Sequence, residues 1–211
     1  MLAFVIKRND WREYDQIILL YTLEFGKVEV LARGIKKILS KNSSFLTPGN
    51  LVEAEIIPGK ELHHLGSVQI INSFPNLYKD EHKIKALSFS LYIFSIFITH
   101  QEKDERIFKL IYGWLDFLNN TKTLDLIFSV DVFAVKFLSI LGFDILGEGR
   151  VGREIKKDLE LLVNGGWEIV NRLKFEGKEA NILHNIIYQF CLYHASKKVN
   201  DWAKLAYFSG K

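Results

Sequence analysis

The chain has 211 residues, 48% of them hydrophobic, enough apolar surface for a sizeable core and too much for a disordered segment. Lysine and arginine number 28 against 25 acids, a net charge of +3, so bulk charge does not identify a nucleic-acid binder and local clustering has to carry any such argument. The one cysteine, Cys191, excludes an intramolecular disulfide and any multi-cysteine zinc site, and fits a reducing, cytosolic compartment.

The opening MLAFVIKRND has no basic leader and its apolar run stops at Lys7, so no secretory signal is expected. LAFVIKR, DQIILLYTLEF and KVEVLARG follow one another, rich in β-branched and aromatic residues, with polar NDWREY and Gly26 between them. NLVEAEIIPG and HLGSVQIINSF add two more strands, with turns at Pro48-Gly49 and Pro58-Gly59. Five short strands with one longer connection, between the third and the fourth, outline a small Greek-key barrel, for which the OB-fold is the expected form.

That longer connection reads ARGIKKILSKNSSF. Arg33, Lys36, Lys37 and Lys41 fall in it with no acid among them. A lysine-rich loop is ordinarily a solvated connection. Here the loop lies beside the barrel surface on which OB-folds bind nucleic acid. Further cations and aromatics (Lys7, Arg8, Trp11, Arg12, Tyr14) surround the first turn, and Lys27 begins the third strand. Cations to follow a phosphate backbone and aromatic rings for bases to stack on are the two needs of single-strand binding. Arg33, Lys36, Lys37, Lys41, Lys27, Arg8, Arg12 and Tyr14 are therefore the candidate nucleic-acid contacts, with Trp11 and Tyr14 serving equally well as rim packing.

After Pro75 the pattern turns helical. ALSFSLYIFSIFITHQ is uncharged but shorter than the ~18–20 apolar residues of a membrane span, and reads as a helix buried on most sides. Residues 104–119 set Ile107, Leu110, Ile111, Trp114, Leu115 and Leu118 at helical spacing, and 122–141 do the same up to a terminal Gly142. A last helix is expected over about 178–198, with Ile182, Ile186, Phe190 and Cys191 on it. Apolar Ile186, Phe190 and Tyr193 beside Lys197 and Lys198 suit a short acidic, aromatic peptide. The fold class is thus α+β, with a barrel over 1–80 and helices over 81–211.

No catalytic constellation emerges. His63 and His64 are adjacent and point to opposite faces of a strand. His184 and His194 lie too far apart on one helix to share a metal, and Cys191 reads as buried and inert. Gly147-Glu148-Gly149-Arg150-Val151-Gly152 matches G-x-G-x-x-G, but a helix precedes it where a dinucleotide site needs a strand. In LELLVNGGWEIV, Asn164-Gly165 reads as the turn of a hairpin. Neither a cofactor nor a metal is expected.

Tyr14-Asp15, Tyr21-Thr22-Leu23-Glu24-Phe25-Gly26-Lys27, Ala32-Arg33-Gly34-Ile35-Lys36-Lys37 and Ser40-Lys41 together resemble the amino-terminal signature of RecO, the bacterial recombination mediators. Leu46-Thr47-Pro48-Gly49, the stretch from Leu65 to Phe74, and Leu138-Ser139-Ile140-Leu141-Gly142-Phe143 are similar to it as well. The resemblance implies an OB barrel followed by a helical domain and no enzyme activity. It implies binding of single- and double-stranded DNA, annealing of complementary strands, and displacement of single-strand-binding protein so that the RecA recombinase can load. It implies RecR and the acidic tail of the single-strand-binding protein as partners, and a bacterial cytoplasmic, nucleoid-associated setting. Two departures stand out. Many members carry four zinc-binding cysteines after the Leu-Gly-Phe step, whereas this chain has a cysteine-free loop or hairpin at about 144–176. The basic run also has Ile38-Leu39 where a further cation is common. A protein-interaction adaptor with weak DNA contact is the alternative reading.

Overall fold

Residues Leu2–Asp10, Gln16–Thr22, Gly26–Ala32, Leu51–Ile57 and His63–Asn72 form strands β1 to β5 of a computed structural model, which describes all residues except 38–40, 99–102, 148–151 and 209–211. The strands close a barrel in the order β1-β2-β3-β5-β4, with β1 pairing β4 and with β3 parallel to β5. That is the OB-fold arrangement read from the sequence. Alternation fills the interior: Ala3 and Val5, Ile18 and Leu20, Val28, Val30 and Ala32, and Val52 and Ala54 meet in one cluster, with Ile35 and Leu46 from the β3–β4 connection added to it.

The signature residues have visible local roles. Thr22 Oγ1 donates to Gly26 O at 3.1 Å and accepts from the Phe25 N–H at 2.9 Å, which ties the β2–β3 turn. Gly34 ends the Ala-Arg-Gly step at φ +65°, where a side chain would strain the backbone. Its N–H donates to the Asp15 carboxylate at 2.8 Å.

Helices follow: α1 Glu81–Phe97, α2 Glu105–Asn120, α3 Leu126–Ile140, α4 Arg153–Asn164, α5 Ile169–Arg172, α6 Gly177–His194 and α7 Trp202–Phe208. Among the described residues no helix is long and apolar enough to cross a membrane. Two units divide the chain, Met1–Pro75 with Ile98–Ile111, and Asn76–Phe97 with Tyr112–Lys211, where the sequence reading makes a single cut near residue 80. Ile98–Ile111 joins the barrel unit because Phe108 packs on Phe4, ring centroids 4.7 Å apart, and the Asp104 N–H donates to the Tyr21 hydroxyl at 3.2 Å.

In the helical unit α3 is the centre. Every residue from Phe128 to Leu138 is buried, the polar Asp131 and Lys136 among them held by hydrogen bonds. It begins at an N-cap, Asp125, whose carboxylate accepts from the Phe128 N–H at 3.0 Å. It ends at Leu141-Gly142, where the Phe143 N–H returns to Leu138 O.

The hairpin expected around Asn164 is instead α4 followed by α5. Ile155, Leu159 and Leu162 recur at helical spacing, with Leu159 and Leu162 buried and the charges outward, a pattern that the Leu-Glu-Leu-Leu-Val run disguises as strand. The C-terminal end of α4 is held by Lys136 of α3, whose ammonium donates to Val163 O at 3.2 Å and also to Gly165 O. Trp167 beyond it packs on Trp114 and Phe117, centroids 5.1 and 6.0 Å away. Gly113 makes this possible: a Cβ there would lie 2.5 Å from Trp167 Nε1.

Candidate nucleic-acid interface

One end of the barrel is built from the β1–β2 turn and the β3–β4 connection. A bulge between Val5 and Lys7 sets its chemistry. Continued without it, the register would place Lys7 opposite Ile18; the shift puts Arg8 there instead. Ile18 faces the barrel interior, and residues directly opposite share a face. Arg8 therefore turns inward at the barrel mouth and Lys7 turns out to solvent.

Each nitrogen of the Arg8 guanidinium makes a hydrogen bond. Nε donates to Gln16 Oε1 at 2.9 Å, Nη1 to Ser43 O at 2.9 Å, and Nη2 to Ser43 Oγ at 3.3 Å. Gln16 Nε2 continues the chain to Asp10 Oδ1 at 2.9 Å. Lys36 then meets Asp10 Oδ2 at 3.4 Å. The Gln16 hydrogen bond, followed by the hydrogen bond and charge of Lys36, holds the Asp10 carboxyl below its ordinary range.

The basic loop is thus fastened to the first turn, and Asp10, an acid from outside the loop, partly compensates its charge. The Lys36 N–H donates to Tyr14 O at 3.1 Å, and its ammonium reaches Arg12 O at 3.4 Å. Lys37 lies over the Tyr14 ring, 5.9 Å from its centroid. Arg33, exposed at the end of β3, has no hydrogen bond or ion pair among the described residues. Arg12 and Lys37 are exposed too, and Trp11 and Tyr14 present 54% and 47% of their surface. Lys41 opens a 3-10 turn, Lys41–Ser43, while Ile38, Leu39 and Ser40 lie outside the described residues. Lys27 is not brought to this end. It sits opposite Tyr21, five residues up β3 from Ala32, about 16 Å at ~3.3 Å per residue. Asp10 and Gln16 escaped the sequence reading, because the bulge that aligns them leaves no mark in composition or spacing.

The remaining candidates go elsewhere. Burial pushes the Cys191 thiol far up, leaving it inert. His184 bonds Asp131 at 2.9 Å and Asp201 at 3.2 Å, and the indole of Trp202 donates to the same Asp131 oxygen at 2.9 Å. Gly147 closes a 3-10 turn and Gly152 caps α4; residues 148–151 between them lie outside the described residues. Among the described residues, no group of three His, Cys, Asp or Glu side chains could hold a metal ion.

Known proteins place this barrel in context. The family model described as Recombination protein O N terminal matches residues 1–74. A protein named DNA repair protein RecO from Clostridium novyi is 30% identical over 141 residues, covering 67% of this chain and 55% of that protein. One of the same name from Geobacter metallireducens is 28% identical over 143 residues, 68% of this chain and 58% of that protein. A third, from Caldanaerobacter subterraneus subsp. tengcongensis, is 22% identical over 207 residues, covering 97% and 83% respectively. The match to the first two spans little more than half of their length.

Proposed function

Since the chain belongs to the RecO family, we propose that it is a DNA-binding mediator of recombinational repair. The observation that carries this is the exposed cluster at the barrel mouth. Arg33, Lys36, Lys37 and Arg12 would take phosphates there, with Lys41 from the same loop a further proposed contact, and Trp11 and Tyr14 would offer ring faces to unpaired bases. Lys27, at the far end of β3, would add a contact only for a strand that runs along the barrel.

Such a site captures backbone and reads little sequence. Arg33 leaves a strand end and can make a directed, bidentate phosphate contact. Lys36 and Lys37 act as point charges from a loop that Asp10, Asp15 and Tyr14 hold in place. Two complementary strands held without sequence preference can search for register, which is annealing. Nothing in this requires covalent chemistry, so the protein acts as a binder and not as an enzyme, and works in the cytoplasm where the nucleoid is.

The family resemblance supports RecR as a partner and delivery of RecA onto strands coated with single-strand-binding protein. For the acidic tail of that protein, α6 offers Tyr193, 80% exposed, near exposed Lys197 and Lys198, whereas Phe190 is core. The test is strand annealing with bare and with protein-coated single strands. Acceleration of both supports the reading. No acceleration and no DNA binding leaves the alternative, a barrel that binds protein.

A further inference from the structure

We propose that Arg8 is a positioning residue that fixes the basic loop on the barrel and is not itself a DNA contact. The inference rests on the reading of the barrel mouth as a DNA site.

Three observations carry it. The bulge at Val5–Lys7 turns Arg8 onto the interior face, opposite Ile18. There its guanidinium spends Nε, Nη1 and Nη2 on Gln16 and on both the carbonyl and hydroxyl of Ser43. Ser43 belongs to the β3–β4 connection, 35 residues along the chain, so the fork spans two segments that no ladder pairing joins. Only two of its five N–H groups are left for a phosphate, while Arg33, Lys37 and Arg12 stand exposed beside it.

Gln16 and Asp10 extend the strut. Asp10 pairs opposite Gln16 in the shifted register, and Gln16 lies opposite Ala32, another interior residue. The three polar side chains therefore line one face of the mouth, Arg8 bracing one end of the loop at Ser43 and Asp10 the other at Lys36. A planar five-donor fork fixes the direction of its bonds to both partners, which the point charge of a lysine does not.

Binding of a labelled oligo-dT across a salt series, with amide hydrogen exchange over residues 33–37 and 41–45, tests this. Arg8→Ala and Arg8→Lys should each weaken binding at fixed salt by roughly three- to tenfold, the cost of ordering a loosened loop. Both should keep the wild-type slope of log affinity against log salt and exchange faster at those residues. A phosphate contact behaves differently: Arg8→Lys would restore affinity, and Arg8→Ala would lower the slope by about 0.7. That result, or unchanged affinity with unchanged exchange, overturns the proposal. Should Arg8→Ala not fold, Gln16→Leu removes the Nε acceptor with the charge kept, and the same weaker binding at constant slope is expected. If wild-type protein shows no salt-dependent DNA binding, the site reading fails. The exchange measurement then still decides the strut, with faster exchange in Arg8→Lys supporting it and unchanged exchange refuting it.

Discussion

Lys36 stands 3.4 Å from Asp10, an acid from the preceding turn that partly neutralises the loop. An exposed pair of this kind adds little to folding, but it competes with phosphate for the ammonium. Asp10→Asn keeps a side-chain oxygen for the brace and removes the charge, so it should strengthen DNA binding at every salt concentration and steepen the salt slope by up to about 0.7, one further contact on a single strand. Filter binding with a mixed-sequence oligonucleotide reads both; weaker binding in the variant would mean that Lys36 needs Asp10 to be placed at all.

Much of the barrel could be read in advance because its strands alternate strictly, as in Ile18 and Leu20 or Val28 and Val30, and because Gly26 and Gly34 mark their ends. The basic loop was legible as charge. Its partners were not, since a one-residue bulge decides whether Lys7 or Arg8 faces inward, and bulges have no periodic signature. In the helical half, Asn164-Gly165 suggested a hairpin, but Leu159 and Leu162 packing and the Lys136 contacts made the segment helical. His184 looked isolated because Asp131 and Asp201 lie 53 and 17 residues away.

The His184 cluster makes the helical unit sensitive to pH. Burial alone would lower the His184 pKa, but hydrogen bonds and charge from Asp131, and then from Asp201, outweigh it and raise it above 6.5. Burial also pushes the Asp131 carboxyl up to about 6, although His184 and Trp202 pull it back. A raised histidine contributes stability that is complete below its unfolded value of 6.5 and lost as pH climbs through the folded value. The raised Asp131 has the same sign and is finished by about 6, while the depressed Asp201 acts only in acid. Thermal unfolding between about pH 6.5 and pH 9 should show a falling midpoint. His184→Asn should flatten the curve and Asp201→Asn should make it shallower; a wild-type midpoint independent of pH over that range contradicts the assignment.

Trp167 and Lys136 hold the segment that follows α4. Alanine at Gly113 would normally stabilise a helix by roughly 1 kcal/mol. Here its Cβ would meet Trp167 Nε1 at 2.5 Å, so Gly113→Ala is expected to destabilise by about 1–3 kcal/mol. Lys136→Met should lose about 1–3 kcal/mol by stripping Val163 O and Gly165 O of their donor. Denaturant melts check both, and the wild-type melt should be the same with and without a chelator. A stabilised Gly113→Ala, or a chelator-sensitive melt, would show that something else anchors α4.

The central claim is that the loop of Arg33, Lys36, Lys37 and Lys41 meets DNA phosphates. Its most direct test is the affinity of wild type and of the Lys36→Ala, Lys37→Ala, Lys41→Ala triple variant for an unstructured oligonucleotide across a salt series. The account predicts an intact fold, weaker binding on every sequence alike, and a salt slope lower by roughly two, at about 0.7 per lost contact. A triple variant that keeps both the affinity and the slope of wild type would contradict it.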